Sequence, residues 1–170
     1  MEILRIPKAR VAALLGFRGK IEKKYKVEIK VDEGGEVQIG GDTMGAYFAK
    51  DVVQAVGRGF EPSVAVKLFK DNYSFYLIEL REHFHAKNAL RRVKGRIIGE
   101  EGKIKDAIER ATESKLSIYG HTVGIISPSD TMEYAKEAIG MLVNGAPHST
   151  LIHFLRKVRG RIMFERLRGK

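Results

Sequence analysis

The stretch RIIGEEGKIKDAI (96–108) reads as a helix broken in its middle by Gly99-Glu100-Glu101-Gly102. Ile97 and Ile98 end one apolar stripe, and Ile104 and Ile108 restart it at helical spacing. Glycine lacks a Cβ, so at both ends of the break φ can be positive and another backbone can approach closely. The helix that restarts at Lys103 presents unbonded N–H groups and a partial positive charge, both suited to phosphate. Glu100 and Glu101 then point into water, but their charge disfavours phosphate. Lys94, Arg96, Lys103 and Lys105 must outweigh it.

The pattern occurs twice. LLGFRGKIEKKYKVEIKVDEGGEVQIGGDTM (14–44) is similar to IIGEEGKIKDAIERATESKLSIYGHTVGIISPSDTM (97–132). Both run from two aliphatics through G-x-x-G and Lys-Ile into a short charged helix, two alternating strands, Asp-Thr-Met and a helix. Aligning the glycine pairs puts the extra residues of the second copy in its second helix. The first copy opens with a strand at MEILRIP and a helix at KARVAALL; Gly16 and Gly19 interrupt, and KIEKKY is a short helix. The turn at Asp32–Gly35 joins its strand pair. The second copy opens with YSFYLIEL and NALRRVKG, with Asn88 as a candidate cap, and Asp130 caps its last helix. The element order is β-α-GxxG-α-β-β-α in each copy.

Composition narrows the function. The 170 residues hold 44% hydrophobic side chains, enough for a core, and no apolar run spans a bilayer. There is no cysteine, which excludes disulfides and thiolate metal sites and fits a cytoplasmic protein. Three Asn and two Gln beside 31% charged residues lean towards a thermophilic source. Lys and Arg total 31 against 21 Asp and Glu, a formal net charge of +10, so an anionic partner is expected. The excess is local: nine basic and three acidic residues in 1–31, seven and two in 86–105, seven and one in 148–170. No P-loop spacing, catalytic triad or converging carboxylate pair is present, and the expectation is a protein that is not an enzyme and needs no cofactor. His83 and His85 share a strand face by alternation but lack a third ligand, so no metal site is expected.

With GRIIGEEGKIKDAIE, MLVNGAPHS and YLIELRE, the chain resembles the tandem-KH assembly factors of the small ribosomal subunit in archaea and eukaryotes, the Dim-two or Pno-one family. The resemblance covers nearly the whole chain. It implies two type I KH domains, whose GXXG loops clamp about four backbone nucleotides of a single strand. Lys105 and Glu22 stand where most KH domains carry an aliphatic, and the acidic pair Glu100–Glu101 stands where basic residues are usual. The implied ligand is single-stranded rRNA near the 3′ end of the small-subunit rRNA. Implied protein partners are the Nob-type endonuclease, the rRNA dimethyltransferase and the α subunit of initiation factor two; no membrane is involved.

The fold class expected is α+β: two KH domains, each a three-stranded antiparallel sheet with three helices on one face, at 1–60 and 73–147. A connector (61–72) joins them, and a basic helix (148–170) follows. RNA-binding candidates in the second domain are Arg92, Lys94, Arg96, Ile98, Gly99, Glu100, Glu101, Gly102, Lys103 and Lys105 with Ser117, Ile118 and Tyr119. There Ile98 and Ile104 floor a groove, Ile118 adds to it from the strand, Tyr119 stacks a base and backbone near Ser117 reads base edges. The alternatives are that Ile98 and Ile118 are ordinary core and Tyr119 a strand-end aromatic. In the first domain Gly16, Phe17, Arg18, Gly19 and Lys20 form the loop, flanked by Lys8 and Arg10. Leu151, Phe154, Leu155, Val158 and Ile162 recur at helical spacing, which favours a tail packed across the two domains over one that touches rRNA or a membrane, with its polar face still open to RNA. The rival reading of the whole is an adaptor whose KH folds have little RNA affinity.

Overall fold

The computed structural model describes residues 1–169, and the chain divides into two compact units that meet between Asp71 and Asn72. The class is α+β, with one three-stranded antiparallel sheet in each unit.

In the first unit, β1 (Glu2–Arg5), β2 (Val27–Val31) and β3 (Glu36–Gly41) form a sheet in the order β1-β3-β2. The alternation of VEIKV turns Val27 and Ile29 into the core and leaves Glu28 and Lys30 exposed. Helices α1 (Val11–Tyr25) and α2 (Thr43–Gly57) cover the inner face, burying Leu14, Phe17 and Ile21 against Ala49, Val52, Val53 and Val56. Asp42 caps α2, its carboxylate accepting the Gly45 N–H at 2.7 Å. Helix α3 (Pro62–Ala65) and the 3₁₀ turn Val66–Phe69 also belong to this unit. Phe69 stacks on Phe17 with ring centroids 5.8 Å apart and meets Tyr25 edge-on at 5.6 Å.

In the second unit, β4 (Tyr73–Glu79), β5 (Lys115–Tyr119) and β6 (Thr122–Pro128) run in the order β4-β6-β5. Helices α4 (Lys87–Ile98), α5 (Lys103–Thr112) and α6 (Met132–Val143) supply its core, with Ile97, Ile108, Ile125, Ile139 and Leu142 among its fully buried side chains. Helix α7 (His148–Arg168) lays Leu151, Leu155, Val158 and Ile162 inward on α5 and α6. The apolar spacing of the tail is therefore a packing stripe, but the helices it is laid on are those of the second unit, to which α7 belongs, where a bridge across the two domains was expected. Its turns are pinned by ion pairs as well: Arg159 and Arg166 both reach Glu113, and Arg166 also reaches Asp130 at 3.4 Å.

Several local expectations are corrected. Gly16 and Gly19 do not interrupt anything: α1 runs unbroken from Val11 to Tyr25, so Gly16, Phe17, Arg18, Gly19 and Lys20 form a helix segment and no loop. Phe17 is 4% exposed, a core residue stacked on Phe69. Helical propensity in VAALLGFRGKIEKKY exceeds the cost of two glycines, each about 1 kcal/mol, because the flanking Leu14, Phe17 and Ile21 bury on one face. Ala86 and not Asn88 precedes α4, and Thr131 and not Asp130 precedes α6. His83 follows a 3₁₀ turn beyond β4, so it and His85 share no strand face.

The duplication is visible in side-chain ties, in a register other than that of the glycine pairs. The Arg10 guanidinium donates to Val56 O and Phe60 O, both at 2.9 Å, across sequence separations of 46 and 50 residues. Arg96 donates to Leu142 O at 3.1 Å and to Ala146 O, across the same separations of 46 and 50. Each arginine thereby satisfies carbonyls around the end of its unit's α2 or α6, groups a helix cannot bond internally. Likewise Glu22 accepts the Ile29 N–H at 2.9 Å and Glu109 the Leu116 N–H at 2.8 Å, each over seven residues. Four residues past each glutamate the chain enters the left-handed region, at Lys26 (φ 57°) and Glu113 (φ 57°). Matched this way, Phe17 corresponds to Ile104, and the glycine loop of the second unit corresponds to a plain helical turn near Ala12–Leu15 of the first.

Candidate nucleic-acid interface

The break anticipated at 99–102 is present in the second unit. Helix α4 stops at Ile98, and Gly99 takes φ 75°, ψ 173°, a conformation open to glycine alone among common residues. A Cβ there would meet Ile104 Cγ1 at 2.4 Å and Ile104 N at 2.9 Å, so the loop folds tightly back on the first turn of α5. Glu101 also lies in the left-handed region at φ 55°, and Gly102 at φ 75° has nothing within 4 Å of the missing Cβ. Gly102 is the N-cap of α5 and offers no side-chain acceptor. The first-turn N–H groups of α5 thus lack a side-chain cap, beside an open glycine surface. Glu100, Glu101 and Lys103 are all exposed.

One edge of the sheet is drawn up to this loop from both sides. Glu109, on α5, holds the start of β5 through Leu116 N–H, and Lys105 Nζ stands 3.6 Å from that carboxylate. Lys94, on α4, donates to Gly120 O at 2.8 Å and holds the end of β5. Strand β5 is an edge, and the outward N–H of Leu116 fixes the alternation: Ile118 turns its backbone N–H and C=O out of the sheet, while Ser117 and Tyr119 face β6 with theirs. The outward-facing backbone on this stretch is therefore that of Ile118 and not of Ser117. Ile98 is 38% exposed beside the loop, Ile104 is 9% exposed beneath it and Ile118 is half-buried. Ile104 belongs to the buried core and Ile118 packs against it, so of the three only Ile98 is exposed.

The supply of cations differs from expectation. Arg96 is committed to Leu142 O and Ala146 O, and His148 Nε2 donates to Arg96 O at 3.1 Å, so this arginine serves as a structural tie. Arg10 is committed in the same way in the first unit. Lys94 and Lys105 have partners within the unit. Arg92 and Lys103 are exposed and have no partner among the described residues. In the first unit Lys8 and Lys20 are exposed and Arg18 half-buried, on or beside an intact helix. The arginine ties were missed because sequence spacing marks a basic residue near a loop without saying which way it points. The shared 46-residue interval from each arginine to the end of α2 or α6 is the signal that was there to be read.

Among the described residues no group of three His, Asp or Glu side chains is placed to hold a metal, and no helix is long and apolar enough to cross a membrane. A family model described as eukaryotic-type KH domain (KH-domain type I), that of the second KH domain of Pno1 proteins, matches residues 74–160. A KH domain-containing protein of Methanocaldococcus jannaschii is 40% identical over 171 residues, covering 95% of this chain and 75% of that one. The pre-rRNA-processing protein Pno1 of Aspergillus fumigatus is 33% identical over 124 residues, 71% of this chain; the chain spans 49% of that fungal relative. Among solved structures, Dim2p of Pyrococcus horikoshii in its complex with a/eIF2α and rRNA superposes with a TM-score of 0.85 at 35% identity, covering 94% of each chain. With the type I KH match over its second unit and an archaeal relative aligned along most of both chains, this chain belongs to the Pno1/Dim2 family of KH-domain proteins.

Proposed function

We propose that the chain is an RNA-binding factor of small-subunit ribosome maturation, holding single-stranded rRNA near its 3′ end across the second unit. The carrying observation is the Gly99–Gly102 break: an uncapped helix N-terminus next to a glycine surface where nothing obstructs an approaching backbone. The sugar-phosphate chain lies over Gly102 and the first turn of α5, with Lys103 and Arg92 as free cations. Bases lie along Ile98 towards the outward backbone of Ile118. The Pyrococcus horikoshii relative in complex with rRNA and the α subunit of initiation factor two supports both RNA and that subunit as partners. The pre-rRNA-processing fungal relatives support the maturation role. Nob-type endonuclease and the rRNA dimethyltransferase are partners on the strength of family resemblance.

The first unit is a second KH copy in which the loop has closed into continuous helix, so its α1 makes no GXXG contact. Its place is to assist, through Lys8, Arg18 and Lys20, or to dock protein. In this reading the protein acts by binding. The adaptor alternative draws on one observation, the withdrawal of Arg96 into the fold beside two exposed glutamates.

A titration of single-stranded RNA and an equal-length duplex tests the proposal. Single strand binds tighter, with a log–log salt slope of roughly 0.7 per neutralised phosphate. Glu100→Lys with Glu101→Lys strengthens binding at low salt, and Lys103→Ala lowers the salt slope by about 0.7. Indifference of affinity to both changes would assign the loop to a protein partner.

A further inference from the structure

Helices α5 and α7 leave a groove of about 310 Å³ between them, lined by Ala107, Ala111, Ile152 and Leu155 with Arg110, Arg156 and Arg159. The floor is aliphatic throughout, and the charged side chains at it are all arginines. Arg159 is engaged with Glu113 at 3.2 Å, but Arg110 and Arg156 are exposed and have no hydrogen bond or ion pair among the described residues.

The groove is separate from the proposed RNA path. At 100° per residue, Ala107 and Arg110 lie on the side of α5 opposite Lys105 and Glu109, the residues that face β5. Its walls lie past the first turn of both helices, where each N–H bonds within the helix, so no main-chain donor is offered to a phosphate. No aromatic ring lines it, so an unstacked base finds no platform. Arginine forks above an aliphatic floor instead complement carboxylates that flank an aliphatic side chain.

We propose that the α5–α7 groove docks an acidic amphipathic segment of a partner protein, placing Leu- or Ile-type side chains on Ala107, Ala111 and Ile152 and carboxylates on Arg110 and Arg156. This site works alongside the Gly99–Gly102 loop, so the protein holds RNA on one side of α5 and a protein segment on the other.

The test uses the full chain and a fluorescein-labelled synthetic helix of Glu, Leu and Ala, read by anisotropy. A second peptide has Ser in place of every Leu. The Leu peptide binds saturably and the Ser peptide at least about tenfold more weakly, since the aliphatic contact is lost. Arg110→Glu with Arg156→Glu weakens the Leu peptide at least about tenfold through like-charge contact, while circular dichroism melting stays that of the parent. Arg110→Gln with Arg156→Gln weakens it less. Single-stranded RNA at saturation leaves peptide binding in place, and the Arg110/Arg156 variants keep RNA affinity. Equal binding of the two peptides, insensitivity to both arginine pairs, or displacement of the peptide by RNA would each overturn the proposal. The last outcome would make the groove part of the RNA surface.

Discussion

Gly16 and Gly19 occupy interior positions of α1, exposed, with nothing within 4 Å of where a Cβ would stand. Alanine at both therefore has room, keeps the helical φ and ψ, and removes freedom from the unfolded chain. The double alanine variant is expected to be stabilised by about 0.5–1 kcal/mol per site, seen as a raised urea midpoint for the first unit, with RNA affinity unchanged. A loss of RNA affinity would mean that this stretch opens to bind. Gly99→Ala has the opposite sign, because φ 75° is strained for alanine and its Cβ meets Ile104 within 3 Å. Two G-x-x-G pairs with one spelling thus differ in what the backbone does at their first glycine.

At the scale of elements, the arginine ties dominate. Arg10→Gln and Arg96→Gln each remove two charge-assisted bonds to carbonyls around a helix end, of which Val56 O and Leu142 O keep a main-chain donor, the Gly59 and Gly145 N–H groups. Each is expected to cost about 1–3 kcal/mol in denaturant titration. RNA affinity of the folded variants is expected to stay within about twofold of the parent, the result that separates a tie from a phosphate ligand. The strand pairs, the broken helix of the second unit and the packing stripe of the tail were legible in the sequence, because alternation, glycine pairs and helical spacing are local signals. The state of Gly16–Lys20 was not. A helix tolerates two glycines when its buried face is strong, and Phe17 gains its ring partner from Phe69, far along the chain. The direction of Arg10 and Arg96 was equally hidden, since their acceptors lie 46 and 50 residues away.

On the scale of the molecule, a net charge of +10 is partly restrained by a few well-placed carboxylates. Glu113 is one. Burial works to raise its pKa, but hydrogen bonds from Arg166 and Arg159, and their charges, hold it below the usual carboxylate range. Because the folded value is depressed, the stabilisation is present above the unfolded value of about 4.3 and is lost as pH falls through the folded value. Melting of the second unit is expected to drop on acidification below that point, and Glu113→Gln to flatten the drop. Glu79, held low by Arg81 and His121 against the same burial effect, leaves a residual slope in the variant. An unchanged profile would place the acid sensitivity elsewhere.

The unbroken α1 and the broken α4–α5 pair also run on different clocks. Past its first turn, each amide of α1 is bonded to the carbonyl one turn back, so solvent deuterium reaches Gly16 and Gly19 only when the helix opens. At Glu100–Gly102 that ladder gives way to single-turn bonds, Gly102 N–H to Gly99 O at 3.2 Å and Lys103 N–H to Glu100 O, and the first turn of α5 has no side-chain cap, so exchange there needs only a local opening. Both stretches share one chain, one solvent and one temperature. The first unit therefore serves as a built-in reference against which any slowing of the second unit's loop amides by a bound ligand can be timed.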